Sequence, residues 1–124
     1  MTCEERRELI ERYLGKTVRI IIDRPVGYVH KKEKYTLVYP INYGYIPGVL
    51  GGDGEELDVY LLGVAEPVGE YEARIIGAAC RGNDAEDKLI AAPEEVSFTP
   101  EEMAAAVEFQ EKYYKTAIVP FCEK

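Results

Sequence analysis

The alternation of apolar and polar positions predicts a helix near each end of the chain. A capping-box pattern over residues 2–5 precedes apolar residues at helical spacing, and Gly15 ends that segment. A second capping box over residues 99–102 begins an amphipathic helix whose apolar stripe is predicted to extend to Ala117. Both terminal regions are therefore predicted to be helical, with a C-terminal helix that carries one apolar face.

Between the helices, short β-branched and apolar runs predict a series of strands. These strands are residues 17–22, 35–38, 57–63, 71–80 and 88–92. Residues 26–34 are predicted to form a basic loop that contains the only histidine, His30. Residues 39–54 combine two prolines, five glycines and three tyrosines, and are predicted to be irregular. The pattern indicates one domain over residues 1–124 with an α+β or β-barrel architecture.

Charge is distributed unevenly along the chain. The net charge is −8, which argues against a nucleic-acid binder that works through a broad basic face. Residues 1–48 carry nine Lys/Arg against six Asp/Glu, a net of +3, whereas residues 49–124 carry six against seventeen, a net of −11. Two solvated faces would give such a split. A site that binds a metal-complexed anion would give it too.

Membrane and secretory signals are not expected. No apolar run approaches the roughly 18–20 residues of a membrane span, and residues 1–15 mix acids with bases and lack an apolar stretch. The three cysteines include no CxxC pair, so neither a disulfide framework nor a zinc site is indicated. A cytoplasmic location is therefore predicted.

The densest chemical feature is an acidic cluster over residues 53–58, with four carboxylates in six positions. Carboxylates this close repel one another unless water, cations or a metal separate them. Hard divalent cations such as Mg²⁺ take oxygen ligands and are commonly held by one or two carboxylates plus substrate phosphates. An acidic turn that faces water is the alternative interpretation. A second acidic group at residues 83–87 could converge with the first if the strands that precede the two groups are neighbours.

Tyrosine is unusually frequent, with ten residues and no tryptophan. Buried tyrosines commonly pack while the hydroxyl finds one partner. Alternatively, several hydroxyls and lysines could donate hydrogen bonds to phosphate oxygens. His30 stands alone, and no nucleophile–histidine set assembles around it, so it is interpreted as a loop or surface histidine.

Two motifs together resemble the soluble, metal-dependent inorganic pyrophosphatase family of the barrel type. Residues 39–48 read Tyr-Pro-Ile-Asn-Tyr-Gly-Tyr-Ile-Pro-Gly, and residues 53–58 read Asp-Gly-Glu-Glu-Leu-Asp. Residues 86–91 and the pair Tyr114-Lys115 resemble later segments of that family. Only fifteen residues separate Asp23 from Tyr39, so the chain resembles a compact, shortened member.

The resemblance implies an α+β fold, a compact OB-like β-barrel of about five strands with the two helices. It implies a catalytic set of Glu55, Asp58 and Tyr43, in which Glu55 accepts a proton from the attacking water. The implied metal ligands are Asp53, Glu55 and Asp58, with Asp84, Glu86 and Asp87 as alternative ligands from the second acidic group. The implied substrate-binding residues are Lys31, Tyr43, Lys88, Tyr114 and Lys115.

The function that the resemblance implies is Mg²⁺-dependent hydrolysis of pyrophosphate to two phosphates, with Mn²⁺ as the alternative metal. A non-catalytic sensor of metal and pyrophosphate, or a hydrolase of another phosphoanhydride, would fit the same barrel. The expected partner is pyrophosphate or a related small phosphate anion, without nucleic acid or membrane, and the expected assembly is a homo-oligomer.

Overall fold

A computed structural model describes residues 2–52, 54–82 and 86–121 of the chain. The elements in chain order are α1 (Cys3–Tyr13), β1 (Thr17–Arg24), β2 (Val29–Lys31), β3 (Thr36–Val38), β4 (Asn42–Leu50), β5 (Glu56–Leu61), β6 (Glu70–Arg81), β7 (Lys88–Ala92), α2 (Pro100–Glu111) and β8 (Thr116–Pro120). Both predicted capping boxes form, at Thr2 for α1 and at Thr99 for α2. The two helices therefore begin where their capping residues predict.

Five strands close into a barrel. Strand β1 pairs antiparallel with β4 on one side and with β6 on the other. Strand β4 pairs with β5, β5 runs parallel to β7, and β7 pairs antiparallel with β6 to complete the ring. Strand β8 adds to β6, and β2 and β3 form a separate hairpin. The α+β, OB-like barrel with a helix at each end is thus confirmed.

The prediction that residues 39–54 are irregular was wrong. Strand β4 occupies Asn42–Leu50 and pairs with both β1 and β5. A Cβ on Gly44 would lie 1.8 Å from the carbonyl oxygen of Ile21, so glycine allows β1 and β4 to approach closely. Pro47 lies between Tyr45 and Leu50, where the pairing of β4 with β5 shifts register. Proline has no amide hydrogen to donate, and it is tolerated at such an irregular position of a strand.

Two further boundaries differ from the sequence prediction. The basic loop over residues 26–34 contains β2, which pairs with β3 through residues 29–31. Helix α2 ends at Glu111, and the segment predicted to continue it forms β8. Ala117 pairs with Cys80 of β6, so the backbone of this segment is satisfied by the sheet instead of a longer helix.

The buried residues form two clusters. The first fills the barrel with aliphatic side chains from all five of its strands and from Leu9 and Ile10 of α1. The second lies between the barrel and α2, and it contains Tyr39, Tyr43 and Tyr60 together with Met103 and Val107 of the helix. The tyrosine-rich cluster adjoins the cleft that contains most of the candidate site residues.

Candidate active site

A cleft of about 370 Å³ lies beside the C-terminal end of α2. Residues from both halves of the chain line it: Arg24, His30, Lys32, Tyr43, Glu55, Asp58, Arg81, Glu86, Lys88, Gln110 and Tyr114. Six of the residues that the sequence singled out are therefore brought together, namely Tyr43, Glu55, Asp58, Glu86, Lys88 and Tyr114. The cleft combines carboxylates with cations, as the charge split along the sequence suggested.

Lys88 lies at the centre of the carboxylates. Its ammonium nitrogen lies 2.8 Å from Oδ2 of Asp58 and 3.7 Å from Oε2 of Glu86, and only 3% of its side chain is exposed. The same nitrogen lies 5.5 Å from the centre of the Tyr43 ring. Burial and the neighbouring carboxylate of Asp58 raise the pKa of Tyr43 well above its usual value. Tyr43 is therefore a neutral phenol at physiological pH.

Other predicted residues lie elsewhere. Asp53 and Asp84 are outside the described residues. Lys31 is not among the residues that line the cleft, whereas its neighbours His30 and Lys32 are. Lys115 follows Tyr114 but is not among the residues that line the cleft, and its backbone carbonyl accepts a hydrogen bond from Gly82.

Asp87 also points away from this cleft. Its two carboxylate oxygens accept hydrogen bonds of 2.8 and 2.7 Å from Arg6, and one of them accepts a 2.9 Å bond from the amide of Arg81. Only 8% of the Asp87 side chain is exposed. It borders a different cavity of about 600 Å³, next to α1. These contacts tie α1 to the connection between β6 and β7.

Arg81 and Glu111 form a buried ion pair that the sequence analysis missed. Nε and Nη2 of Arg81 lie 3.0 and 2.7 Å from the two carboxylate oxygens of Glu111, and the side chains are 1% and 4% exposed. Burial by itself raises the pKa of Glu111, but hydrogen bonds from Arg81, Tyr60 and Thr116 outweigh it and hold the pKa below its usual value. The ring of Tyr114 lies 3.6 Å from Cζ of Arg81.

A sequence signal for this pair did exist. Gln110 and Glu111 fall on the buried stripe of α2, at helical spacing from Met103 and Val107. A glutamate at a buried position requires a cationic partner. The pattern identifies the need for such a partner, but only the fold identifies Arg81.

Arg24 and His30 were also missed as residues of the cleft. His30 was interpreted as a loop or surface residue, but it belongs to β2. Its Nδ1 atom lies 3.4 Å from Nη1 of Arg24. Burial and the charges of Arg24 and Lys32 lower the pKa of His30. The basic residues Arg24, His30 and Lys32 thus form one side of the cleft.

The carboxylates of the cleft are suitable donors for a divalent cation. Glu55, Asp58 and Glu86 present the hard oxygen ligands that Mg²⁺ prefers. Among residues 2–52, 54–82 and 86–121, no three acidic, histidine or cysteine side chains form a ready-made metal cluster. In the same ranges, no helix is sufficiently long and apolar to cross a bilayer.

Comparison with known proteins agrees with this geometry. Residues 9–122 match the family model described as inorganic pyrophosphatase. The chain is 29% identical over 130 residues to the inorganic pyrophosphatase of Neisseria meningitidis serogroup B, with 82% of this chain and 73% of that protein covered. It is 35% identical over 124 residues to soluble inorganic pyrophosphatase 2 of Chlamydomonas reinhardtii, covering 86% of this chain and 64% of that protein.

A solved structure supports the fold. The inorganic pyrophosphatase from Ehrlichia chaffeensis superposes with a TM-score of 0.62 at 20% identity, covering 87% of this chain and 88% of that one. The family match covers nearly the whole chain, including the two motifs on β4 and β5 and the strand that carries Lys88. The chain therefore belongs to the inorganic pyrophosphatase family.

Proposed function

We propose that this chain hydrolyses inorganic pyrophosphate to two phosphate ions in a Mg²⁺-dependent reaction. The observation that carries the proposal is the placement of Lys88 between Asp58 and Glu86 in a cleft lined by further cations. Carboxylates of this kind suit a metal, and cations suit the anion that accompanies it. Membership of the pyrophosphatase family supports the same reaction.

Glu55 and Asp58 would hold the cation, with Glu86, whose Oε2 lies 3.7 Å from Nζ of Lys88, as the third donor. When bound, a divalent cation polarises a phosphoryl oxygen and makes nearby water more acidic. Carboxylates plus phosphate oxygens are the usual environment of protein-bound Mg²⁺, and Mn²⁺ accepts the same ligands. Asp53 and Asp84 stay predicted ligands.

Lys88 and Tyr43 bind the substrate. The Lys88 ammonium has three N–H donors, so it can bind a phosphate oxygen while it keeps its bond to Asp58. The phenol of Tyr43 is neutral and can donate to a second oxygen. Tyr114 lies against Arg81 at another side of the cleft and presents a further hydroxyl. Donors fixed before the reaction stabilise charge on the leaving phosphate without reorganisation.

Glu55 acts as the general base. A water oxygen attacks one phosphorus, the bond from that phosphorus to the bridging oxygen breaks, and the second phosphate leaves with the bonding electrons. The proton of the attacking water passes to the carboxylate of Glu55. Positioning and electrostatic stabilisation supply most of the catalysis in phosphoryl transfer, so the protein's main task is to hold these groups in place.

A substrate panel tests the proposal. Phosphate release is measured from pyrophosphate, tripolyphosphate and a nucleoside triphosphate in Mg²⁺, and the account expects pyrophosphate to be the best substrate. Calorimetry on the same preparation detects binding. Binding of Mg²⁺–pyrophosphate without phosphate release would instead indicate a sensor, and preference for another substrate would indicate a different phosphoanhydride hydrolase.

Assembly and location stay predictions. The homo-oligomeric state expected from the resemblance can be measured by sedimentation equilibrium, in which a monomer mass would contradict it. The cytoplasmic location can be measured by fractionation of the source cells.

A further inference from the structure

We propose that Arg24 is an anion-binding residue of the cleft and receives one phosphoryl group of the substrate. This inference rests on the proposed function for the identity of the anion. No sequence motif identified Arg24. Its role follows from three observations: a β-bulge in β1, the absence of Arg24 from the ion pairs of the described residues, and a buried hydrogen-bond chain that holds it.

A β-bulge at Asp23 sets the direction of Arg24. Ile22 pairs with Gly44, and Arg24 pairs with the next residue of β4, Tyr43, so Asp23 is an extra residue in β1. Such a bulge bends the strand and changes the side to which the following side chain points. Arg24 consequently shares the cleft with its pairing partner Tyr43.

The guanidinium of Arg24 has donors to spare. Its Nη1 donates to the hydroxyl of Tyr39 at 2.6 Å and lies 3.4 Å from Nδ1 of His30. In the part of the chain that the structure describes, none of the ion pairs involves Arg24. Nη2 and Nε keep N–H groups for a ligand, and two parallel N–H donors match the oxygens of a phosphate.

Three aromatic rings surround this cation. Cζ of Arg24 lies 5.9 Å from the ring centre of Tyr28 and 5.6 Å from those of Tyr39 and Tyr43. Ring faces attract a cation without neutralising it. The arginine therefore stays charged in a partly desolvated place, where attraction to an anion is stronger than in water. Lys32, which also lines the cleft, adds positive charge on the same side.

A chain of buried hydrogen bonds holds the side chain of Arg24 in place. The hydroxyl of Tyr39, which accepts from Arg24, donates to Oε1 of Gln110 at 2.6 Å. Gln110 in turn donates to the hydroxyl of Tyr60 at 2.7 Å, and Tyr60 donates to Glu111 at 2.5 Å. Every donor in this chain points toward Glu111, which also accepts from Arg81. Tyr39 and Gln110 are thus positioning residues for Arg24.

Substitution of Arg24 tests the inference by a binding measurement that does not need turnover. Calorimetric titration with imidodiphosphate, a non-hydrolysable analogue, is carried out in Mg²⁺ on the wild type, Arg24→Gln and Arg24→Lys. Arg24→Gln is expected to weaken affinity by about 10- to 100-fold, the size of hydrogen bonds to a charged group. Arg24→Lys is expected to be intermediate, because lysine keeps the charge but loses the paired donors.

Arg19→Gln is the matched control. Arg19 lies on the same strand but pairs with Glu70, and both of these side chains are well exposed. This variant is expected to bind as the wild type does. Unfolding by urea, followed for every variant, identifies any that fails to fold, and Arg24→Lys then provides the decisive comparison.

A double-mutant cycle tests the positioning role of Tyr39. Tyr39→Phe removes the hydroxyl between Arg24 and Gln110, and is expected to weaken analogue binding in the wild-type background. In the Arg24→Gln background it should add little, because its effect on affinity passes through Arg24. A purely structural role of Tyr39 would give the same loss in both backgrounds.

The outcomes separate this inference from the proposed function. Unchanged affinity in both Arg24 variants would overturn the role of Arg24, whatever the hydrolysis assay gives. Failure of the wild type to bind the analogue would overturn it too. Weakened binding in Arg24→Gln together with a wild type that binds but does not hydrolyse pyrophosphate would support the anion site and contradict only the proposed reaction.

Discussion

Lys88 and Asp58 are 30 residues apart in sequence, yet the Lys88 ammonium lies 2.8 Å from Oδ2 of Asp58. The pair forms because β5 and β7 are parallel neighbours in which Val59 lies opposite Leu89. Asp58 and Lys88 immediately precede Val59 and Leu89, so they lie side by side at the same end of the two parallel strands. The carboxylate proposed to hold the metal and the cation proposed to bind phosphate thus occupy adjacent positions.

Lys88→Met is expected to lower the affinity for Mg²⁺–pyrophosphate by about 1.5–3 kcal/mol, the range for hydrogen bonds to charged groups. Methionine keeps most of the apolar stem and removes only the charge. Calorimetry with imidodiphosphate measures the change, and Lys112→Met, at an exposed position near the end of α2, is the control. A loss of folding stability with unchanged affinity would make Lys88 a structural residue and contradict its proposed role.

The two aspartates Asp58 and Asp87 should respond differently to metal. Mg²⁺ that binds only the folded state raises the melting temperature, and Asp58→Asn should remove most of that shift. Asp87→Asn should lower the free energy of unfolding by about 1.5–3 kcal/mol, because it weakens the paired bonds to Arg6, but leave the Mg²⁺ shift intact. Thermal unfolding with and without Mg²⁺ measures both. Loss of the shift in Asp87→Asn alone would assign the metal to the other cavity.

Glu55→Gln is expected to lower kcat by about 10²–10⁴-fold, the usual contribution of a general base. Glu56→Gln is the control, because that neighbouring carboxylate accepts a hydrogen bond from the amide of Gly48 and does not line the cleft. Steady-state kinetics over a range of Mg²⁺ separates the causes: a lost ligand is partly rescued by more metal, and a lost base is not. Wild-type turnover in Glu55→Gln would place the base elsewhere.

Replacement of Glu111 should reveal a pH-dependent part of the stability. The pKa of Glu111 is lower in the folded state than its ordinary value of 4.5, so its contribution is present above about pH 4.5 and is lost as the pH falls through the folded pKa. Glu111→Gln leaves Arg81 without its buried partner and should cost about 3–5 kcal/mol at neutral pH.

The difference between wild type and Glu111→Gln should shrink as the pH falls from 4.5 through the folded pKa, because the unfolded carboxylate takes up its proton first and the folded one only below its lower pKa. Urea denaturation at both pH values measures it, with Glu108→Gln, exposed on the same helix, as the control. An equal difference at both pH values would mean that the charge of Glu111 contributes nothing to folding.

Local sequence signals predicted both helices and most of the strands of the barrel. The capping boxes at Thr2 and Thr99 and the apolar run of β7 depend on neighbouring residues alone, and the structure confirms them. Strand β4 could not be predicted in the same way. Glycine has a low propensity for strands, so Gly44 indicates a break in the strand. In the structure, Gly44 lies within β4, because the backbone of Ile21 leaves no room for a Cβ at that position.

The site was predictable where its residues belong to a motif and not where they depend on pairing. Asp58, Lys88 and Tyr43 come from recognisable segments of the sequence. Arg24 faces the cleft because of a β-bulge that exists only in the pairing of β1 with β4. Arg81 forms its buried ion pair with Glu111, thirty positions further along the chain. A local pattern can indicate that a buried group needs a partner, but it does not identify a partner that is distant in sequence, so only the folded structure shows that Arg24 and Arg81 line the cleft.

The most direct test of the central claim is phosphate release from pyrophosphate by the wild type and by Asp58→Asn, each with Mg²⁺ and with excess chelator. The account predicts rapid release by the wild type in Mg²⁺, almost none in chelator, and a loss of at least about 10²-fold in Asp58→Asn. Absence of release by the wild type, or equal rates with chelator and in the variant, would contradict it.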